Sequence, residues 1–304
     1  MKSEFWFDLT DQVVVITGGA GLLGKEHAKA ILKCDGIPII ADSDYENAVK
    51  VASELGGLAK AFPIDVTNED SIIKLLQTLK KEYKQISALI NNAAIDPKVG
   101  TSGLLSSRLE DITLSSIQND LNVNLIGAVL CSKIFGQHFA LNGGGKILNI
   151  SSELGLIAPD QRLYEKPGLP IDKQPVKPVT YSISKAGLIG LTKYLSTYWP
   201  EKGVRANAIC PGGVEFNQPI EFKNEIAYVA PEHFKFVFLE EFFDGINDLH
   251  PNHVYIAKNG KEKKLCDTCS NWYRAIISDM WNSDDYFTGL IAKRSEEHTS
   301  ELQS

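Results

Sequence analysis

Five short apolar runs, at 13–16, 37–41, 86–90, 146–150 and 204–209, alternate along the chain with longer stretches of helical periodicity. None of the runs shows the in-and-out alternation of a strand with one wet face. Runs of this kind suit strands buried on both sides, and their alternation with helices suits a parallel sheet covered by helices on both faces. A weaker strand is expected within 58–64. The helix after it is marked by Thr67 and Asp70, which read as a capping box, and by an apolar face of Ile72, Ile73, Leu75, Leu76 and Leu79.

The first run leads directly into Gly18, Gly19, Gly21, Leu22, Leu23 and Gly24, with a helix expected from about Leu22. Glycines allow a sharp turn and close backbone approach to a pyrophosphate, while the free N–H groups and positive dipole end of the helix attract its charge. An ordinary tight turn would need none of the other features. Asp42 ends the second run, where a carboxylate can accept from the adenosine ribose hydroxyls and would repel a 2′-phosphate, so NAD is expected over NADP. Asp44 could share that role. The fold class expected is therefore α/β, a Rossmann-type doubly wound parallel sheet in one domain, with a truncated or aberrant C-terminal strand.

The chain has 304 residues, enough for one large α/β domain, and a net charge of −7 that argues against a nucleic-acid surface. No apolar stretch reaches membrane-spanning length and the N-terminus lacks a signal-peptide pattern, so a cytoplasmic protein without membrane partners is expected. Its expected partners are a small-molecule alcohol or ketone and further copies of the chain. The cysteines are odd in number, Cys34, Cys131, Cys210, Cys266 and Cys269, as suits buried thiols in a reducing compartment. The Cys266-x-x-Cys269 pair lacks a second pair to complete a zinc site, and no metal is expected.

Two segments break the alternation. Residues 153–180 carry five prolines and must be mostly loop, and a loop of that length in a compact domain is usually functional. Beyond about residue 218 the pattern fades. Residues 1–218 thus form the expected core and 219–293 a divergent or misassembled part of the same domain. Residues 294–304, "RSEEHTSELQS", match the in-frame translation of a common sequencing adapter, and 283–292 look like the approach to a last strand that is not completed.

Two Tyr-x-x-x-Lys spacings occur. Tyr198 and Lys202 are separated by Pro200, which ends a helix, so only Tyr181 and Lys185 can share a helical face. With these residues in order, 9–213 resembles the short-chain dehydrogenases/reductases: "TGGAGLLG" at 17–24, Asp42, "IDVT" at 64–67, "NNAA" at 91–94, "NVNLIGA" at 122–128, "NISS" at 149–152, "YSISK" at 181–185 and "CPGGV" at 210–214. The resemblance implies that Asp65 and Val66 hold adenine, that Asn91 and Ala93 line the ribose side of the cofactor, and that Pro211, Gly212 and Val214 flank the nicotinamide.

The same resemblance implies a catalytic set of Asn124, Ser152, Tyr181 and Lys185. Tyr181 would be the general acid/base, with its pKa lowered by Lys185 and by the positive nicotinamide ring. Lys185 would also bind the nicotinamide ribose, Ser152 would polarise the substrate oxygen, and Asn124 would hold a water in the proton relay. Ser151 is the weaker candidate beside Ser152, because Gly155 follows Ser152 at the family's spacing.

The sequence departs from the pattern at Leu22 and Ala94, where glycine is usual, and in placing Ser152 and Tyr181 29 residues apart. The glycine spacing and the long interval both resemble the branch that modifies sugar nucleotides. The expected function is an NAD-dependent oxidoreductase acting on a secondary alcohol or ketone, with a sugar-like substrate of surface-polysaccharide biosynthesis. The alternatives are a sugar-nucleotide epimerase or dehydratase with tightly bound NAD, and a non-catalytic nucleotide-binding protein.

Overall fold

The computed structural model describes residues 8–96, 99, 107–214, 228, 229, 236 and 237. Six parallel strands form its centre: β1 (Val13–Thr17), β2 (Ile37–Asp42), β3 (Lys60–Pro63), β4 (Ala88–Asn91), β5 (Gly145–Ile150) and β6 (Val204–Pro211). Their order is β3-β2-β1-β4-β5-β6, so the strand order reverses beside β1. Crevices at such a reversal, outside the carboxyl ends of the strands, are where open α/β sheets bind ligands. Two further short strands, β7 (Gly213–Val214) and β8 (Tyr228–Val229), pair with each other, and β9 (Phe236–Val237) pairs antiparallel with the end of β6.

Burial on both faces explains the unbroken apolar runs. Val14 and Ile16 of β1 point to one side and pack with Ala28 and Ile31 of α1 (Leu22–Lys33) and Ala48 and Val51 of α2 (Tyr45–Leu55). Val13 and Val15 point to the other. There they join Ile72, Leu75 and Leu79 of α3 (Glu69–Glu82), Phe135 and Phe139 of α5 (Gly127–Leu141) and Leu195 of α6 (Val179–Tyr198). Alternate residues of one strand thus feed two separate cores.

The apolar face expected on α3 is present, but its cap is one residue further along. Asn68 Oδ1 accepts from Asp70 N at 3.0 Å and Ser71 N at 3.2 Å, while the Thr67 hydroxyl donates to Asp65 Oδ1 at 2.7 Å. Asn68 has the extended backbone of a cap (φ −117°, ψ 111°), which leaves Thr67 to close the turn before it. Pro200 does end α6, at Tyr198, and starts a short 3₁₀ turn, Pro200–Lys202.

Helix α4 (Leu114–Leu121) runs through one turn of π-helix, Asn122–Ile126, into α5. Helix α6 is tied to α4 by Thr180 Oγ1, which donates to Asp120 Oδ2 at 2.6 Å inside the protein. The expected loop at 153–180 is loop only through Pro178, interrupted by the 3₁₀ turns Glu153–Gly155, Gln161–Tyr164 and Ile171–Lys173, and its last two residues open α6. Among the described residues no helix is long and apolar enough to cross a membrane, and no cluster of side chains could hold a metal ion. Cys34, Cys131 and Cys210 are buried thiols. Cys266, Cys269, the unfinished strand at 283–292 and the adapter-like 294–304 lie outside the described residues, as does most of 219–293.

Candidate active site

Every strand of the parallel set delivers residues to the same edge of the sheet. The turn after β1 is built for close approach: Gly18 has φ +60°, and a Cβ there would lie 2.7 Å from Ala93 Cα. Gly24 packs on the turn itself, since its Cβ would meet Gly18 O at 2.5 Å. No side chain caps α1 and its first turn carries no acid, so the N–H groups of Leu22, Leu23 and Gly24 face the crevice with the helix dipole behind them. The residues fit a bound pyrophosphate.

Asp42 closes the other side of that turn. Its Oδ2 accepts from Ala20 N and its Oδ1 from Asp44 N, both at 3.0 Å, so the carboxylate is fixed at the end of β2. Asp44 is occupied as the cap of α2, accepting from Asn47 N at 3.0 Å. Asp65 lies at the end of β3, exposed and hydrogen-bonded to Thr67 N at 2.9 Å, with Val66 buried next to it.

At the end of β4 the neighbouring asparagines face opposite ways. Asn92 Nδ2 donates to Thr17 O at 3.1 Å and Gly18 O at 2.9 Å, holding the glycine turn. Asn91 is turned inward, donating to Asn149 Oδ1 at 2.8 Å and Ser132 Oγ at 2.9 Å. Its carboxamide is a strut between β4, β5 and α5, so Asn91 can meet a cofactor only through its main chain. Ala93 stands against Gly18 at the crevice.

Ser152 follows β5, and Tyr181 and Lys185 project from α6. The three converge: the Ser152 hydroxyl is near enough to the Tyr181 phenol to oppose the rise in its pKa, and the Lys185 ammonium lies 5.6 Å from the centre of the Tyr181 ring. Ser152 Oγ also accepts from Leu154 N at 3.2 Å. Ser151 is excluded from this group, because its hydroxyl donates to Lys185 O at 2.7 Å. Gly155 allows the loop to lie on α6, where a Cβ would meet Lys185 C at 2.7 Å.

The protein alone does not depress the Tyr181 pKa as expected. Burial pushes it up to about 12, the Asp96 carboxylate adds to that, and the Ser152 hydroxyl opposes it. Burial lowers Lys185 to about 8. At neutral pH the pair is therefore phenol and ammonium, a proton donor ready for a carbonyl oxygen.

Asn124 sits in the π-helical turn. Its Oδ1 accepts from Ile95 N at 2.6 Å and its Nδ2 donates to Ile95 O at 2.8 Å. The carboxamide thus fixes the loop after β4, and a water at this residue would have to be held by its main chain. Pro211, Gly212 and Val214 lie where β6 runs into β7, and Gly212 abuts Glu153, whose Oε2 would be 3.1 Å from a Cβ at that position.

Two side chains of this site were not anticipated. Lys177 lies over the Tyr181 ring, 3.9 Å from its centre, and its ammonium donates to Asp96 Oδ1 at 2.7 Å. Glu153 is more than half buried, and burial pushes its pKa up. The available signal was position: Lys177 is held between Pro175 and Pro178 directly before α6, and Glu153 follows Ser152.

The family model described as short chain dehydrogenase matches residues 12–164, and one described as Enoyl-(Acyl carrier protein) reductase matches residues 173–231. An NAD-dependent glycerol dehydrogenase of Listeria innocua is 29% identical over 67% of this chain and 71% of its own length. A 7alpha-hydroxysteroid dehydrogenase of Bacteroides fragilis is likewise 29% identical, over 66% and 71%. A solved structure of a putative D-mannonate oxidoreductase from Haemophilus influenza, with bound NAD, superposes with a TM-score of 0.59 at 26% identity, covering 70% of this chain and 74% of that one.

Proposed function

Because the chain belongs to the short-chain dehydrogenase/reductase family and is an oxidoreductase of the alcohol and ketone class, we propose that it uses NAD to interconvert a secondary alcohol and a ketone on a polyhydroxy substrate. The observation that carries this reading is the convergence of Ser152 and Lys185 on the Tyr181 phenol, with Lys185 one helical turn on and its ammonium 5.6 Å from the ring centre.

The nicotinamide supplies the hydride acceptor when an alcohol is oxidised and the donor when a ketone is reduced. In oxidation Tyr181 must first lose its own proton, and the phenolate would then take the hydroxyl proton as the carbinol carbon gives up its hydride. In reduction the phenol returns that proton to the new alkoxide. Ser152 would donate to the same substrate oxygen as its charge grows, and Lys185 would stabilise a phenolate and help hold the nicotinamide ribose. Asp42, fixed by two backbone N–H groups, favours NAD because a 2′-phosphate would meet a fixed carboxylate.

The two relatives differ in substrate, one acting on glycerol and the other on a steroid. Polarity beside Tyr181 favours the first kind. A steroid would seal Glu153 and the remaining donors of the Asp96-paired Lys177 against apolar carbon, whereas a polar substrate offers them hydrogen-bonding groups. Such substrates include the polyhydroxy precursors of surface polysaccharides. We also infer a homo-oligomer in the cytoplasm. Supporting it are exposed apolar side chains on adjoining helices, Ile126 and Val129 beside and on α5 and Ile183, Tyr194 and Tyr198 on α6.

The test is a screen of polyols, aldonic acids, hydroxysteroids and simple secondary alcohols with NAD and with NADP, following reduced cofactor. Net NADH formation with a polyhydroxy compound is expected. Oxidation of a steroid alone would overturn the substrate class, and copurified NAD that turns over without net reduction would point to an epimerase.

A further inference from the structure

We propose that Lys177 is a substrate-binding residue that receives a carboxylate, so the preferred substrates are polyhydroxy acids rather than neutral polyols. This rests on the reading of the site as a polyhydroxy-alcohol dehydrogenase and names the class of molecule within it. The lysine side chain is only 11% exposed, although it sits on a loop. Its position is built rather than incidental: Lys177 N donates to Gln161 Oε1 at 2.8 Å, and Pro178 leads straight into α6. The ammonium is thereby held over the ring whose hydroxyl does the proton transfer.

An ammonium has three donors. One goes to Asp96 and another side of the group rests on the Tyr181 ring, an arrangement that attracts a cation but gives no strong acceptor. Asp96 is the replaceable member of the pair. Its side chain is 65% exposed and it comes from the loop after β4, so it can turn into water while Lys177 cannot. A neutral hydroxyl arriving in its place would leave a buried charge uncompensated. A carboxylate replaces Asp96 one for one, in a site drier than the surface and with a charge-assisted hydrogen bond.

The other charges facing this point are compatible with an acid. Lys185, from α6, adds positive charge, while Glu153, from the loop after β5, is pushed by burial toward its neutral form. The Glu153 carboxyl can accept from the hydroxyls of the same molecule. The substrate class that satisfies the whole set has a carboxylate and several hydroxyls on one short carbon chain.

The experiment compares aldonates with the alditols of equal chain length, such as D-gluconate with sorbitol and threonate with threitol, using NAD and the full chain. The best aldonate is expected to exceed its alditol in kcat/KM by tenfold or more. Lys177→Met should remove that preference chiefly by raising KM for the aldonate, with the alditol affected less, and Lys177→Arg should restore part of it. Asp96→Asn should lower KM for the acid, because it removes the internal competitor. Equal or better use of the alditol, or an equal loss for both compounds in Lys177→Met and Asp96→Asn alike, would show that the pair is only a strut. If no alcohol is oxidised the functional reading fails, and calorimetric titration of the NADH complex with the same aldonates still decides the role of Lys177. Binding weakened tenfold or more by Lys177→Met supports it, and absent or unchanged binding overturns it.

Discussion

The Lys185 ammonium donates to the Ile150 carbonyl at 2.8 Å, not to the phenol of Tyr181. That bond anchors α6 to the end of β5 and holds a cation beside the ring while leaving the phenol to Ser152. It also buries the charge, which is why Lys185 falls to about 8. Reduction of a ketone needs a protonated phenol, present throughout the range below about 12, and a charged lysine. The charged form of lysine is the protonated one, so raising the pH through about 8 removes it. We expect kcat/KM for ketone reduction to be level below that pH and to decline above it, and Lys185→Arg to move the decline upward. A profile unchanged in the Arg variant would assign the limb to another group.

Tyr181→Phe deletes the proton donor but almost no packing. Turnover should drop by about 10²–10⁴ while NADH affinity and thermal midpoint stay close to the parent. Activity within severalfold of the parent would move the acid/base role elsewhere.

Asp42 gives a cofactor prediction with an internal control. NADH should bind at least tenfold more tightly than NADPH in fluorescence titrations. Asp42→Asn retains an acceptor for Ala20 N and removes the charge, so it should narrow the gap chiefly by improving NADPH. Comparable affinities in the parent would refute the assignment.

At Gly18 a methyl group meets two obstacles, a positive φ and the Ala93 backbone. Gly18→Ala should cost about 1–3 kcal/mol in urea denaturation and weaken NADH binding by tenfold or more. Normal binding in a destabilised variant would separate the turn's folding role from its ligand role.

His27, buried in α1 and hydrogen-bonded to Asn92, is lowered to about 4 by burial. Its folded value lies below the ordinary histidine value of 6.5, so the unfolded chain takes up a proton first as the pH falls. This histidine's contribution is complete above about 6.5 and is lost as the pH falls toward 4, on the order of 3 kcal/mol in all. Urea midpoints for the parent and His27→Gln should converge over that window. Parallel curves would show that His27 does not titrate there.

Much of this architecture was legible because the features are local or strictly ordered. Unbroken apolar runs revealed the strands, since each is buried on both faces, and Pro200 dismissed the second Tyr-Lys pair because a missing N–H ends a helix wherever it falls. The cap at Asn68 was misread by one residue because Thr67 and Asn68 are both good caps and only the backbone angle selects between them. Asn91 and Asn92 are indistinguishable in a sequence; the sheet's pleat sends one inward to Asn149 and the other to Gly18. Lys177 and Asp96 were invisible because a pair 81 positions apart is joined only by the folded loops.

The interval between Ser152 and Tyr181 acquires a different meaning once both ends are seen to be pinned, one to the end of β5 and the other to a helix locked onto that strand. Loop-closure entropy grows only with the logarithm of length, so doubling such an excursion costs about 0.6 kcal/mol, less than the roughly 0.8 kcal/mol of one buried methylene. Chain can therefore be added between the two catalytic groups almost without thermodynamic consequence, and their separation in space stays the same. The length of this segment is a nearly free variable on which selection for a new substrate can act.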